Sequence, residues 1–242
     1  MKEPIILSWS GGKDSALALY ELQQSAEYEV TGLLTTVTEE YDRISMHGVR
    51  RSLLRQQAAA IGLPLTEVTI SPRCVNEEYA ARMRAAMGDL AAAGIRKVAF
   101  GDIFLADVRR YREENLDKAG MKAIFPLWGR NTAALTREFI RYGFKAVLTC
   151  ADTQRLAASF AGREFDAALL SDLPAAVDPG GENGEFHSFV YNGPIFSLPV
   201  RFVRGETILR EKRFAYYDLL PDETHCGDHA VSPTRAPDQQ QE

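Results

Sequence analysis

Three cysteines, at 74, 150 and 226, are too few and too scattered in this chain for a disulfide framework or a thiolate zinc site, both of which need paired or clustered thiols. Each is expected to be a free thiol. No apolar run approaches the roughly 18 residues that a membrane helix needs. The N-terminus has no basic region leading into a long apolar segment and a small-residue cleavage site, so a cytoplasmic location is expected. Basic excess is missing as well. Lys and Arg number 28 against 33 Asp and Glu, a formal net charge of -5, which offers no bulk attraction to nucleic acid or an anionic membrane. Neither partner is expected. There is no internal repeat.

What is present is the ordinary material of a soluble globular protein: 242 residues, 45% hydrophobic and 25% charged, enough for one large domain or two unequal ones. From Ile5 to Ala151, β-rich runs ("IILSW", "VTGLLTTV", "LTEVTI", "KVAFGDI", "AIFPLW", "KAVLTCA") alternate with helical patterns over Val49–Ile61, Asn76–Ala93, Leu105–Lys118 and Thr132–Tyr142. Such alternation predicts crossover units and a mainly parallel, doubly wound sheet covered on both faces, an α/β fold. Gly62, Gly94, Gly120 and Gly143 close helical segments just before strands, as helix stops do. Residues 1–151 read as one α/β domain.

After Cys150 the pattern changes. Residues 153–173 lean to helix, "PAAVDPGGENGEFHS" is a glycine-rich loop, and the stretch from Phe186 to Leu220 alternates as antiparallel strands, with turns expected at Asn192-Gly193 and Arg204-Gly205. This is a smaller α+β lobe over 152–221. The polar, proline-bearing residues 222–242 read as a disordered tail.

The chemistry starts at "SWSGGKDS", where a strand runs into a helix. Backbone N–H groups and a helix N-terminus gather there, and glycine lets an anion approach the backbone, so phosphate is the natural occupant. The loop lacks the four-residue spacing of the common P-loop and the third glycine of the dinucleotide fingerprint. The bland reading is a glycine turn with an exposed Lys13-Asp14.

"SGGKDS" resembles the signature of the PP-loop ATP pyrophosphatases, which cleave ATP between the α- and β-phosphates. Together with "ISMHGVRRSLLRQQAAAIGLPL", "VAFGDIFLADVRRYREE" and "VDPGGENGEFHSFVYNGPIF" it is similar to the diphthine-ammonia ligase family, over nearly all of residues 3–220. The resemblance implies an adenine-nucleotide alpha hydrolase-like, Rossmann-like fold and an ATP-dependent amide-forming ligase using magnesium. It implies that Ser10, Gly11, Gly12 and Ser15 hold phosphate, that Lys13 is the cationic partner of the leaving group, and that Asp14 is the metal contact. Asn183 and His187 depart from the Gly-Glu-Gly-Gly-Glu form carried by the eukaryotic and archaeal ligases.

Forming an amide from a carboxylate needs activation, because AMP leaves far more readily than carboxylate oxygen. The partners implied are therefore ATP, a carboxylate-bearing acceptor and ammonia or an amine, with the acceptor pocket expected where "GGENGEFHS" nears the carboxyl ends of the strands. Glu182 and Glu185 either orient the amine and accept its proton or stand as exposed loop acids. His187 either carries a proton or only hydrogen-bonds. Asp102 either meets ligand at its strand end or caps a helix. His47 either faces the nucleotide, within "HG", or the pair only turns the chain. Arg112 and Glu113 either reach the cleft or belong to a solvated helix face. Two other functions share the loop: a tRNA-modifying enzyme, for whose sulfur chemistry a lone Cys150 substitutes poorly, and a non-catalytic adenine-nucleotide sensor. A homo-oligomer is left open.

Overall fold

The computed structural model describes residues 1–39, 42–44, 48–71 and 76–222. His47, Cys74, Cys226 and all of the expected tail except Asp222 lie outside the described residues. Among the described residues ten strands and six α-helices run in the order β1 (Glu3–Ser8), α1 (Lys13–Gln24), β2 (Tyr28–Thr38), β3 (Arg43–Ile44), α2 (Arg51–Ile61), β4 (Leu65–Ile70), α3 (Asn76–Ala92), β5 (Lys97–Ala99), α4 (Ala106–Lys118), β6 (Lys122–Ile124), α5 (Thr132–Arg141), β7 (Lys145–Asp152), α6 (Ala167–Asp172), β8 (Phe186–Asn192), β9 (Phe202–Arg210) and β10 (Phe214–Pro221).

Two sheets result. Strands β4, β2, β1, β5 and β6 form a parallel sheet in that spatial order, with the short β3 antiparallel to the end of β2. The chain builds outward from β1 through β2 to β4, then returns to place β5 on the other side of β1. The order therefore reverses between β1 and β5, and a crevice opens beyond the carboxyl ends of these two strands. The second sheet is antiparallel, in the order β8-β7-β10-β9.

The central strand explains the apolar start of the sequence. Ile5 and Leu7 face a large core shared with Leu17 and Leu19 of α1, Leu53 and Leu54 of α2 and Phe139 of α5. Ile6 points to the opposite face, where Leu34, Val68, Met87, Val98, Phe100 and Leu116 form a smaller cluster under α3 and α4. A strand buried on both sides reads as an unbroken apolar run. The same property misleads at β7. Its "KAVLTCA" run is buried from Ala146 to Asp152, and the alternation of the sequence assigns it to the parallel sheet, but it stands between β8 and β10 in the antiparallel one. A double-faced apolar pattern does not carry strand direction. The larger core is indifferent to this change of sheet, since Val147, Leu148, Phe189, Val190, Ala215 and Leu219 join it from the second sheet.

Arg204-Gly205 is not a turn. It lies inside β9, where two residues oppose one at Asp218, and a Cβ on Gly205 would come within 3.0 Å of the Asp218 carbonyl oxygen. Glycine marks a bulge there. The chain turns instead at Glu211 and Lys212, with φ 52° and 54°, and Arg213 N–H donates to the Arg210 carbonyl at 3.0 Å.

One buried amide ties the two sheets together. Gln57, on α2 and 0% exposed, accepts a hydrogen bond from Trp9 Nε1 at 3.0 Å and donates through Nε2 to the carbonyls of Gly11 at 3.0 Å and Val190 at 2.6 Å. Val190 N–H donates in turn to Gly11 O at 2.9 Å. Gln57→Leu keeps the volume but leaves the Trp9 donor and the Val190 carbonyl without this partner in a dry interior, and is expected to lower stability by about 2–4 kcal/mol in urea denaturation.

Candidate active site

At the carboxyl end of β1 the chain must turn sharply into α1. Gly11 makes the turn with φ 77°, and a Cβ there would lie 2.6 Å from Gln57 Oε1, so glycine is required on both counts. Gly12 is the extended N-cap residue of α1 and provides no side-chain cap. Hydroxyls do that work: Gly12 N–H donates to Ser10 Oγ at 3.3 Å, Lys13 N–H donates to Ser188 Oγ at 3.1 Å, and Ser15 Oγ donates to Gly12 O at 2.9 Å. The Ser10 and Ser15 hydroxyls are 3.2 Å apart. The segment after β5 closes the other side. A Cβ on Gly101 would fall 2.8 Å from the Asp14 carbonyl carbon, so only glycine lets this segment cross the first turn of α1.

These elements open onto a cleft of about 600 Å³ at the reversal of strand order. One part is apolar, walled by Leu34, Met83, Met87, Phe100 and Leu116; another presents Ser10, Lys13, Asp14, Ser15 and Glu182. Tyr79, Met83 and Met87 recur every four residues on α3 and so share its inner face. The volume and this division suit a nucleotide, with an apolar site for a base and a polar one for phosphates.

The ionisable groups are unevenly matched. Lys13 is buried and its Nζ donates to both carboxylate oxygens of Asp14 at 2.7 Å. Enclosure pushes the Asp14 pKa up; Lys13 opposes the shift, and Asp178 and Asp102 add to it. Glu182 takes the Ile103 N–H at 2.8 Å, yet burial, reinforced by the charge on Asp14, raises its carboxyl to about 7. Asp102 lines the cleft in a close ion pair with Arg112, 2.6 Å from Nε, and that guanidinium lies 4.4 Å over the Phe100 ring. Glu113 pairs with Arg109 at 2.8 Å and does not line the cleft.

The sequence-predicted residues thus fall into groups. Ser10, Gly12, Lys13, Asp14, Ser15, Asp102, Glu182 and His187 line one cleft, with Gly11 shaping its loop. His47 lies outside the described residues. Glu185 turns the other way: it is 0% exposed, accepts from the backbone N–H groups of Asp178 and Asn183 at 3.2 and 3.0 Å and from Asn183 Nδ2 at 3.1 Å, and is not a cleft residue. A carboxylate with these donors, and with the Arg155 guanidinium 3.6 Å away, organises its own loop. Asp178 works beside it, accepting from Thr132 Oγ1 at 2.6 Å, Gly180 N at 3.0 Å and Glu182 N at 3.1 Å. The two struts hold Glu182 out toward the loop of β1. Sequence reasoning passed over Asp178, although an Asp two residues before Gly is a recognisable turn signal. It also passed over Gln57, Gly101 and Ser188, for which no local signal exists.

Among the described residues no group of three or more His, Cys, Asp or Glu side chains gathers as a metal cage. Magnesium arriving with a polyphosphate needs only one or two carboxylates beside phosphate oxygens, and the Asp14 carboxylate at the loop fits that donor set. Cys150 is buried in β7, with its thiol pushed up to about 11 by burial, and it does not line the cleft.

Residues 1–123 match the family model described as the diphthamide synthase N-terminal domain, and residues 131–219 match the one described as the diphthamide synthase C-terminal domain. The second match begins just ahead of α5 and β7. No curated protein matches the chain.

The Glu182 carboxyl sets a pH dependence. Its folded pKa of about 7 lies above the ordinary 4.5, so between these values the folded state binds the extra proton, and stability falls as pH rises through that window. Glu182→Gln retains an oxygen for the Ile103 N–H and has no charge to bury. The variant is expected to melt about 2–4 °C above the wild type at pH 8, with the gap closing by pH 5, as followed by calorimetry.

Proposed function

The chain belongs to the diphthamide synthase family, in the PP-loop superfamily of ATP-using enzymes, and from that premise we propose that it is an AMP-forming amide ligase acting on a carboxylate-bearing acceptor, with ammonia or an amine as donor. The observation that carries the reading is the pairing, in one cleft, of the Ser10–Ser15 loop with a carboxyl group whose pKa stands near neutrality, Glu182.

In this reading the base and ribose occupy the apolar part of the cleft, and the polyphosphate meets the Ser10 and Ser15 hydroxyls and the N-terminus of α1. An acceptor carboxylate oxygen attacks the α-phosphorus in line with departing pyrophosphate, forming a mixed anhydride of acceptor and AMP. Lys13, held at the loop by Asp14, neutralises charge on the pyrophosphate. Asp14, together with phosphate oxygens, would hold magnesium, which would supply further neutralisation of the triphosphate. The amine then attacks the acyl carbon, AMP departs, and the proton released by the nitrogen passes to Glu182, whose pKa suits a base near neutral pH. Of the two glutamates expected to handle the amine, Glu182 keeps that role in this reading, while Glu185 and Asp178 hold the loop.

Sulfur transfer to tRNA is less well supported, since a buried thiol with a pKa of about 11 is a poor nucleophile and lies off the cleft. A sensor that binds ATP without turnover has no use for a proton acceptor poised at the phosphates.

The test is product analysis with labelled ATP, magnesium, ammonium and a cell extract as the acceptor source. AMP and pyrophosphate are expected, with a product lighter than its acid precursor by the difference between OH and NH2. Asp14→Asn and Ser15→Ala are expected to slow turnover about 100-fold while leaving the melting temperature within a few degrees. ADP as the main product would overturn the reading, and tight ATP binding with no pyrophosphate release would favour the sensor.

A further inference from the structure

The antiparallel sheet ends on β9, and among the described residues no strand pairs with its outer edge. From the second bulge residue, Glu206, to the turn at Glu211 runs the segment Glu206–Arg210, in which every residue is exposed, Ile208 at 48% and Leu209 at 57%, and in which Thr207–Arg210 pair regularly with β10. An uncovered edge carrying apolar side chains is a template for another strand, and proteins ordinarily blunt such an edge with proline, lysine, a bulge or a covering element. This run has no proline or lysine, and the bulge touches only its first residue, Glu206, leaving Thr207–Arg210 regular.

The charges of the run decide what pairs with it. Glu206 and Arg210 are its only ionisable residues, of opposite sign, two positions to either side of Ile208. Neither belongs to an ion pair among the described residues; the Arg210 guanidinium lies 6.0 Å from the centre of the Tyr216 ring. An identical strand laid antiparallel about Ile208 places Glu206 opposite Arg210 twice, Thr207 opposite Leu209 twice, and Ile208 opposite itself. Centring on Thr207 sets Arg210 against Arg204, and a parallel arrangement stacks each charge on its own kind, both unfavourable. A closed two-fold contact requires such self-complementarity.

We propose that β9 pairs antiparallel with β9 of a second copy of this chain, about a two-fold axis at Ile208, joining two four-stranded sheets into one of eight. The proposal is independent of the reaction assigned to the cleft. Five residues per strand make a small interface, so the dimer is of the weak, concentration-dependent class.

Two measurements on the full chain test it. In sedimentation across a concentration series, Arg210→Glu and Glu206→Arg are each expected to weaken dimerisation about tenfold, and the double charge swap to restore it. Under mild oxidation Ile208→Cys is expected to give a disulfide-linked dimer whose cross-linked peptide contains position 208 twice, while Thr207→Cys and Leu209→Cys link when mixed and not alone. Melting temperatures unchanged from the wild type show that these exposed substitutions leave the fold intact. A wild type that stays monomeric throughout, or a double swap no tighter than the single variants, overturns the proposal. So does dimerisation of a chain ending at Asp222 where the full chain does not dimerise, which would assign the edge to residues 223–242.

Discussion

The architecture depends on the satisfaction of one buried carbonyl, that of Gly11. A chain that leaves a central strand, reverses at a positive-φ glycine and enters a helix exposes main-chain groups where there is no water to receive them. The Gly11 oxygen accepts from Gln57 and from Val190, so a helix of the first sheet and a strand of the second both hold the turn. The same Gln57 fixes the Trp9 indole on the approach to it. The loop is therefore rigid before any ligand arrives, and rigidity is what electrostatic stabilisation of a leaving group requires.

A second constraint concerns acids. Asp102, Asp178 and Glu182 each interact electrostatically with Asp14, beside the buried Lys13. The structure disposes of this excess by giving each a different environment: Asp102 has Arg112, Asp178 has backbone N–H groups and Thr132, and Asp14 has Lys13. Glu182 has the Ile103 N–H, and burial raises its proton affinity all the same. Surroundings differ here more than residue types do: of two glutamates three positions apart in one glycine-rich loop, one lines the cleft and the other is tied to the N–H groups of its own loop.

Much of the fold was legible in the sequence because its signals are local. The five parallel strands, the helices between them and the loop from Ser10 to Ser15 follow from periodicity, glycine stops and a motif. What escaped is what sequence periodicity does not encode. The sheet to which β7 belongs depends on partners some forty and sixty residues downstream, at Phe186–Asn192 and Phe214–Pro221. Gly205 looks like a turn because a bulge and a turn use glycine for related reasons. Glu182 and Glu185 are indistinguishable in the string, and only the direction of each side chain separates a cleft acid from a strut. Gln57 reads as one more polar residue on a helix until its three partners, spread over positions 9 to 190, are seen together.

The larger core draws side chains from β1, α1, α2 and α5 and equally from β7, β8 and β10. The two sheets share this core, so a cavity opened beside Phe189 or Ala215 in the second sheet is felt at the strand that carries the Ser10–Ser15 loop.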